Sequence, residues 1–306
     1  MNKVPKVIHY CWFGGKELPE DVRKNISSWK KFCPNFEIKE WNEKNFDLDC
    51  NNYVKEAYQA GKWAFVSDYV RFWVLYYYGG IYFDTDVELI KPMDKLIKAG
   101  PFMSREKEFY TKYKIELEKK ILSKYTKLQI NGRSLKLNYN DIEYSVNPGL
   151  GMCAYPKMQF FGDLLKIYNN SHFILKDNSY NPATVVDYTT VLAKMNGLET
   201  KEDKNDQIII GNEKIKIYAT DVLDPIDYNT FNKKITDNTV AIHHYSASWL
   251  TYSQKIEMNI SNFLIDHGIK NQKLIRINTL PIRVIGKIST IGLRQTLKLI
   301  VDKFKS

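Results

Sequence analysis

One stretch constrains this chain more than any other: Ser67–Asp86, which reads SDYVRFWVLYYYGGIYFDTD. Its first half is apolar on nearly every side of a helical wheel and carries only two charges, Asp68 and Arg71, so it has to lie inside a core. Gly79-Gly80 follows and offers the positive φ at which helices end. Ile81–Asp84 then reads as a short central strand that delivers two carboxylates, Asp84 and Asp86, to its end. Residues two apart on a strand face the same way, which aims both acids at one space. Two such carboxylates stay ionised together at pH 7 most easily with a divalent cation between them and a third anion, commonly a diphosphate.

An Asp-x-Asp pattern is weak by itself. The charged pair on the helix strengthens it. Asp68 and Arg71 are three apart and share a helix face, and charge on so apolar a helix is costly unless it is paired or used. Two readings follow: an ion pair tying helix to strand, or a pair in which Asp68 accepts from sugar hydroxyls while Arg71 meets a hydroxyl or a phosphate.

Around this stretch the chain alternates strand and helix. Val4–Phe13 is rich in β-branched and aromatic residues and stops at Gly14-Gly15. Pro19-Glu20-Asp21 opens a helix with the stripe Ile26, Trp29 and Phe32, and Phe36–Trp41 alternates as a second strand. Strand, helix and strand at this spacing form a right-handed parallel unit, so the expected class is α/β. Further helices are expected over 51–60, 62–78, 157–169 and 182–195. Strands are expected over 87–90, over 143–155 with a break at Asn147-Pro148-Gly149, and over 208–210, 215–218 and 239–245. Trp249 opens a last body helix reaching His267. Residues 106–141 turn lysine-rich and read as an inserted, exposed module, a helix followed by a hairpin at Asn131-Gly132. Either a solvated flap or an acceptor- or membrane-facing element fits it.

The net charge of +10 is unevenly placed: from Lys270 onward there are nine Lys/Arg and one acid, +8, which leaves +2 for the first 269 residues. A nucleic-acid binder would spread basic charge over its body, so no nucleic acid is expected. In the tail the basic residues interleave with Leu280, Ile282, Ile285, Ile288 and Leu297, the pattern of an interfacial helix pair on anionic lipid. The four cysteines have no zinc spacing, the N-terminus lacks a signal-like stretch, and no apolar run reaches the roughly 18 residues of a membrane span. These features predict a cytoplasmic protein, peripheral on the inner face of the cell membrane. The division expected is a catalytic body, 1–269 with the 106–141 module inside it, and a tail, 270–306.

Ser67-Asp68, Arg71, Gly79-Gly80, Tyr82 and Asp84-Thr85-Asp86 together resemble the signature of glycosyltransferase family 32. Pro5–Gly15 resembles the family's first strand, and His243-His244 with Trp249 its closing motif. The resemblance implies a GT-A fold, Rossmann-like and nucleotide-sugar-binding, with a helical and hairpin insertion and a basic C-terminal helical tail. It implies retaining transfer that depends on Mn²⁺ or Mg²⁺, catalysed by Asp68, Arg71, Asp84 and Asp86. Trp12 would stack on the base, Asp68, Arg71 and Asn147 would hold the donor sugar, and Asp84 would contact ribose and sugar or share the cation. Asp86 would ligate the cation, with His244 as a further ligand and His243 as the alternative, since adjacent histidines leave the register open. Ser246 and Trp249 would face the diphosphate and glycosidic oxygen. Asp187 is a candidate near the acceptor.

The function expected is therefore transfer of a hexose or N-acetylhexosamine from a nucleotide sugar, UDP-linked, to a glycan acceptor that is lipid-linked in capsule, O-antigen or exopolysaccharide synthesis. An imidazole ligand favours Mn²⁺ over Mg²⁺. The alternative is a haloacid-dehalogenase-like phosphatase or phosphotransferase using Asp84 as nucleophile.

Overall fold

A computed structural model describes residues 3–109, 112–130, 142–226 and 233–246, then 253, 256–257, 260, 264, 274 and 277–291. The chain forms two units, one of residues 1–227 and 233–244, the other of residues 228–232 and 245–306.

The first unit opens with β1 (Val7–Cys11), α1 (Glu20–Phe32) and β2 (Glu37–Trp41). β1 and β2 run parallel, Val7 opposite Glu37 through Cys11 opposite Trp41, so the expected parallel unit is present. Acids in the first turn of α1 and lysines in its last complement the helix dipole. Helices α2 (Asn52–Gln59) and α3 (Trp63–Tyr78) follow. The amide oxygen of Asn51 caps α2 by accepting from Val54 N. Gly79, at φ 65°, ends α3 where a Cβ would lie 2.7 Å from Pro156 Cδ, and β3 (Gly80–Tyr82) begins at once.

The remaining elements of this unit are β4 (Val87–Leu89), α4 (Asp94–Lys98), β5 (Phe102–Phe109), α5 (Lys112–Lys127), β6 (Ile142–Val146), β7 (Met152–Ala154), α6 (Gln159–Asn169), α7 (Val185–Met195), β8 (Asp206–Ile210), β9 (Glu213–Tyr218), α8 (Thr220–Leu223) and β10 (Ala241–His243). The main sheet has the order β2-β1-β3-β7-β5-β9-β8, with β6 beside β5. β1 and β3 are parallel, as are β5 and β9, while β7 runs antiparallel between the two halves. β4 and β10 form a separate antiparallel ladder in which His243 faces Val87.

Strand alternation splits the core between the two faces of the sheet. Tyr82, Met103, Met152 and Ala154 pack with α3, α6 and α7, while Ile8, Ile81, Phe102 and Cys153 pack with α1 around Trp29. Under the helix end, His9 Nδ1 accepts from Trp41 Nε1 at 3.0 Å, which leaves Nε2–H to donate to Gly79 O, also at 3.0 Å. Burial holds His9 at about 4, so this imidazole is a neutral strut.

Two expectations are corrected here. The described part of 106–141 is built into the body: β5 runs through its start, and α5 buries Ile115, Leu117, Ile121 and Tyr125, whose hydroxyl donates to Tyr188 O at 3.0 Å. Its lysine-rich composition averages over a helix with one wet face. The Asn131-Gly132 hairpin lies outside the described residues. Asp187, expected near an acceptor, is 2% exposed and closes the capping box of α7, accepting from Thr184 N at 2.6 Å while Lys114 pairs with its other oxygen.

In the second unit α9 (Leu280–Ile291) pairs Arg283 Nε with Glu257 Oε1 at 2.9 Å and leaves Leu280 and Ile285 exposed. Among the described residues no helix is long and apolar enough to cross a membrane.

A structural role for Asp187 has a measurable consequence. Asp187→Ala should lose about 1–3 kcal/mol in urea unfolding, from the missing cap and from the loss of one of the two carboxylates that pair with Lys114. Steady-state acceptor KM in the same variant should stay at the wild-type value; a rise would return Asp187 to the acceptor site.

Candidate functional site

The two acids do not sit on a strand. β3 stops at Tyr82, and Asp84 to Asp86 form a turn in which Asp84 O accepts from Val87 N at 3.1 Å. Neighbours fix that turn from both sides: Asn25 Nδ2 donates to Thr85 O at 2.9 Å, and His244 N donates to Asp86 O at 2.9 Å. The carboxylates still converge, by turn geometry instead of strand alternation.

The β4–β10 ladder brings the third group. His243 is buried at the end of β10, with Nε2 3.0 Å from Asp86 Oδ1. One ligand atom each from Asp84, Asp86 and His243 lies within 4.8 Å of the others. Hard carboxylate oxygens with one imidazole suit Mn²⁺, and Mg²⁺ less well. His244, expected as the ligand, instead points its Nε2 at Glu88 Oε2, 2.9 Å away on the exposed side. Successive strand residues face opposite ways, so only one of the two histidines can reach the acids. It is His243.

Asp84 is held through both oxygens while 30% of its side chain stays exposed. Its Oδ1 accepts from Tyr82 Oη at 2.9 Å and its Oδ2 from Arg71 Nη1 at 3.2 Å. The same guanidinium meets Asp68 Oδ1 through Nη2 at 3.0 Å and lies 5.1 Å from the Tyr82 ring centroid. The ion pair tying helix to strand is thus present, with Arg71 buried between the two acids. Gly149 closes the back: its carbonyl accepts from Asp84 N at 3.2 Å, and a Cβ there would lie 2.2 Å from Asp84 Oδ2. Asn147 Oδ1 accepts from Gly149 N at 2.7 Å, and Asn147 Nδ2 donates to Glu106 Oε2 at 2.7 Å.

Burial pushes the Asp68 carboxyl up to about 7 against the pull of Arg71, with the Asp84 charge adding to the rise. A hydroxyl donated to Asp68 would compensate an ionised form that burial disfavours. In His243 the balance is reversed: burial would lower it, but Asp86, Asp224 and Asp84 overcome burial and raise it to about 9.

Trp12 follows β1 at the same sheet edge, the carboxyl ends of parallel β1 and β3, where α/β folds form their ligand crevice. Its Nε1 donates to Lys16 O at 2.6 Å, and the residue is half-buried. Ser246 is exposed and belongs to the second unit; Trp249 lies outside the described residues. Sequence reading missed Glu106 and Gly149. The alternation Ser104, Glu106, Glu108 marks a polar strand face, but the lysine-rich composition around it drew that segment into an insertion.

The site predicts competition between proton and metal at His243. With its folded value above 6.5, the proton's stabilising contribution is full below about 6.5 and disappears as pH rises through about 9. A divalent cation must displace that proton, so Mn²⁺ affinity measured by calorimetry should rise with pH over this window, by up to about tenfold per unit, with proton release. His243→Ala should flatten the profile. A wild-type profile already flat from 6.5 to 9 would remove His243 from the ligand set.

Residues 19–103 match the family described as a glycosyltransferase sugar-binding region containing a DXD motif. Inositol phosphoceramide mannosyltransferase 1 of Schizosaccharomyces pombe is 31% identical over 112 residues, 34% of this chain and 34% of that protein. Glycosyltransferase L373 of Acanthamoeba polyphaga mimivirus, itself uncharacterized, is 29% identical over 118 residues, 36% of this chain and 47% of that protein. The matched segments therefore span less than half the length of these relatives. Among solved structures, a glycosyltransferase involved in glycosylation of the major capsid of PBCV-1 aligns over 83% of this chain and 99% of its own, at 10% identity and a TM-score of 0.39. The PaToxG glycosyltransferase aligns over 62% and 69%, at 15% identity and a TM-score of 0.38. Superpositions this loose carry no argument about the site.

Proposed function

We propose that the protein is a retaining, divalent-metal-dependent glycosyltransferase acting on a nucleotide sugar, a reading supported by the match of residues 19–103 to a glycosyltransferase sugar-binding region containing a DXD motif. The observation that carries this reading is the Asp84–Asp86–His243 cluster at the carboxyl ends of parallel strands. A cation held there supplies Lewis-acid charge that neutralises a departing diphosphate. The bond between the sugar's anomeric carbon and the diphosphate oxygen breaks, a bond to the acceptor oxygen forms on the same face, and the acceptor's proton passes to the leaving phosphate.

In this scheme Asp68 accepts from a donor-sugar hydroxyl, and Arg71 keeps both Asp68 and Asp84 aimed from behind. Asn147 adds a second sugar contact and Trp12 a flat surface for the base. The donor class is a hexose or N-acetylhexosamine, UDP-linked in the first instance. The fungal relatives are named mannosyltransferases acting on inositol phosphoceramide, so mannosyl donors and lipid-borne acceptors belong in the same screen. The family match over residues 19–103 favours the glycosyltransferase reading over the phosphatase alternative with Asp84 as nucleophile.

The acceptor proposed is a lipid-linked glycan met at the inner face of the cell membrane. The +8 tail and the exposed Ile277, Leu280 and Ile285 support a surface that lies on anionic lipid.

Two experiments test these readings. With Mn²⁺ present, the true donor in a panel of UDP- and GDP-sugars should raise Tm by mass action. Asp86→Ala should lose that shift and at least about a hundredfold in transfer with its circular dichroism unchanged; wild-type transfer under excess chelator would remove the metal. For the tail, the full chain should sediment with phosphatidylserine vesicles and a chain ending at His267 should not. Equal sedimentation would end the membrane proposal.

A further inference from the structure

Glu106 is an acid beside this site that the scheme above leaves without a task. It lies on β5 between Ser104 and Glu108, on one face of the strand. The two glutamates are placed differently. Glu108 takes Lys114 on one oxygen and Ser145 on the other, and Lys114 also pairs with Asp187, so Glu108 belongs to the structural network under α7. Glu106 has a different neighbour: its Oε2 accepts the Asn147 amide at 2.7 Å.

We infer that Glu106 is a positioning residue of the donor site, fixing the Asn147 amide in the orientation that keeps the 147–150 turn against Asp84. A side-chain amide has two nearly isosteric ends, and only its hydrogen-bond partners choose between them. Here the NH₂ end faces a carboxylate oxygen and the carbonyl end faces Gly149 N–H at 2.7 Å. Turning the amide over would set two acceptors against each other at Glu106 and two donors against each other at Gly149. That orientation matters one step further on, because Gly149 both accepts from Asp84 N and stands against Asp84 Oδ2. The chain of contacts Glu106, Asn147, Gly149, Asp84 thus runs from the middle of the sheet to the first metal-facing acid.

Burial pushes the Glu106 carboxyl up to about 7, with Asn147 pulling it back. The positioning role survives either state, since Oε1 can carry a proton while Oε2 still accepts. The inference rests on the reading that Asn147 and Asp84 face the donor, and its test has to separate the two.

The test uses the full chain and four variants: Glu106→Gln, Glu106→Met, Asn147→Ala and the Glu106→Met/Asn147→Ala double. The Gln carbonyl can still accept from Asn147, so E106Q should keep donor KM within about threefold of wild type. E106M should raise donor KM about tenfold or more with a smaller change in kcat. The double variant should be no worse than N147A alone, because both changes break the same chain of contacts. Tm of E106M should not fall, since a similar volume remains and the burial of an acid is relieved; E106A replaces it if methionine does not pack. Wild-type donor KM in E106M overturns the inference whatever N147A does, as does an E106M effect that persists undiminished on top of N147A. E106Q as damaged as E106M would also overturn it, pointing to the charge itself. If N147A alone leaves donor KM unchanged while E106M raises it, the donor role of Asn147 fails and the relay through it fails too.

Discussion

The buried guanidinium of Arg71 is the interaction on which the rest of the site depends. It sits in the middle of a helix with almost no polar surface and meets two carboxylates from different elements, one on its own helix and one past the end of the adjoining strand. Removing the guanidinium would leave both carboxylates without their counter-charge, at about 3–5 kcal/mol. The arrangement is complete in this structure, with Arg71 meeting both acids. With it complete, the position of α3 fixes the position of Asp84, and the stacked Tyr82 ring sets how far the carboxylate can swing.

Everything else is brought to that point from far along the chain. The parallel β1–β3 pair opens a crevice at its carboxyl ends. The small β4–β10 ladder then lays His243 across from Val87, one residue past the acids. The break between β6 and β7 lowers Gly149 onto Asp84. Three segments separated by many tens of residues share one small volume, which is why the DXD stretch alone specifies little and its setting specifies a great deal.

What was legible in the sequence was local. The β1-α1-β2 unit, the apolar α3 and its glycine stop were written in periodicity and turn residues, and the structure follows them within a residue or three at most ends. The acids were legible as a pair. What could not be read was anything set by pairing at a distance. Which of His243 and His244 faces inward depends on the register of β10 against β4, and a shift of one residue reverses the answer. Asp187 carried no mark distinguishing a helix cap from an exposed acid except Thr184 three residues before it, and that signal was available. Glu106 was hidden by its neighbours, since lysines on one face of the next helix coloured the composition of the whole segment.

Gly149 has a consequence for how the site tolerates change. The carboxylate of Asp84 rests against main chain, at a place where even a methyl group would collide with it. Its location is therefore written in the path of the backbone and is largely indifferent to drift among the surrounding side chains. Donor preference could be re-cut by exchanging the residues that flank the 147–150 turn while the acids stay where they are. The fixed part of the machine is a template of peptide groups, and the adjustable part is what hangs from its edges.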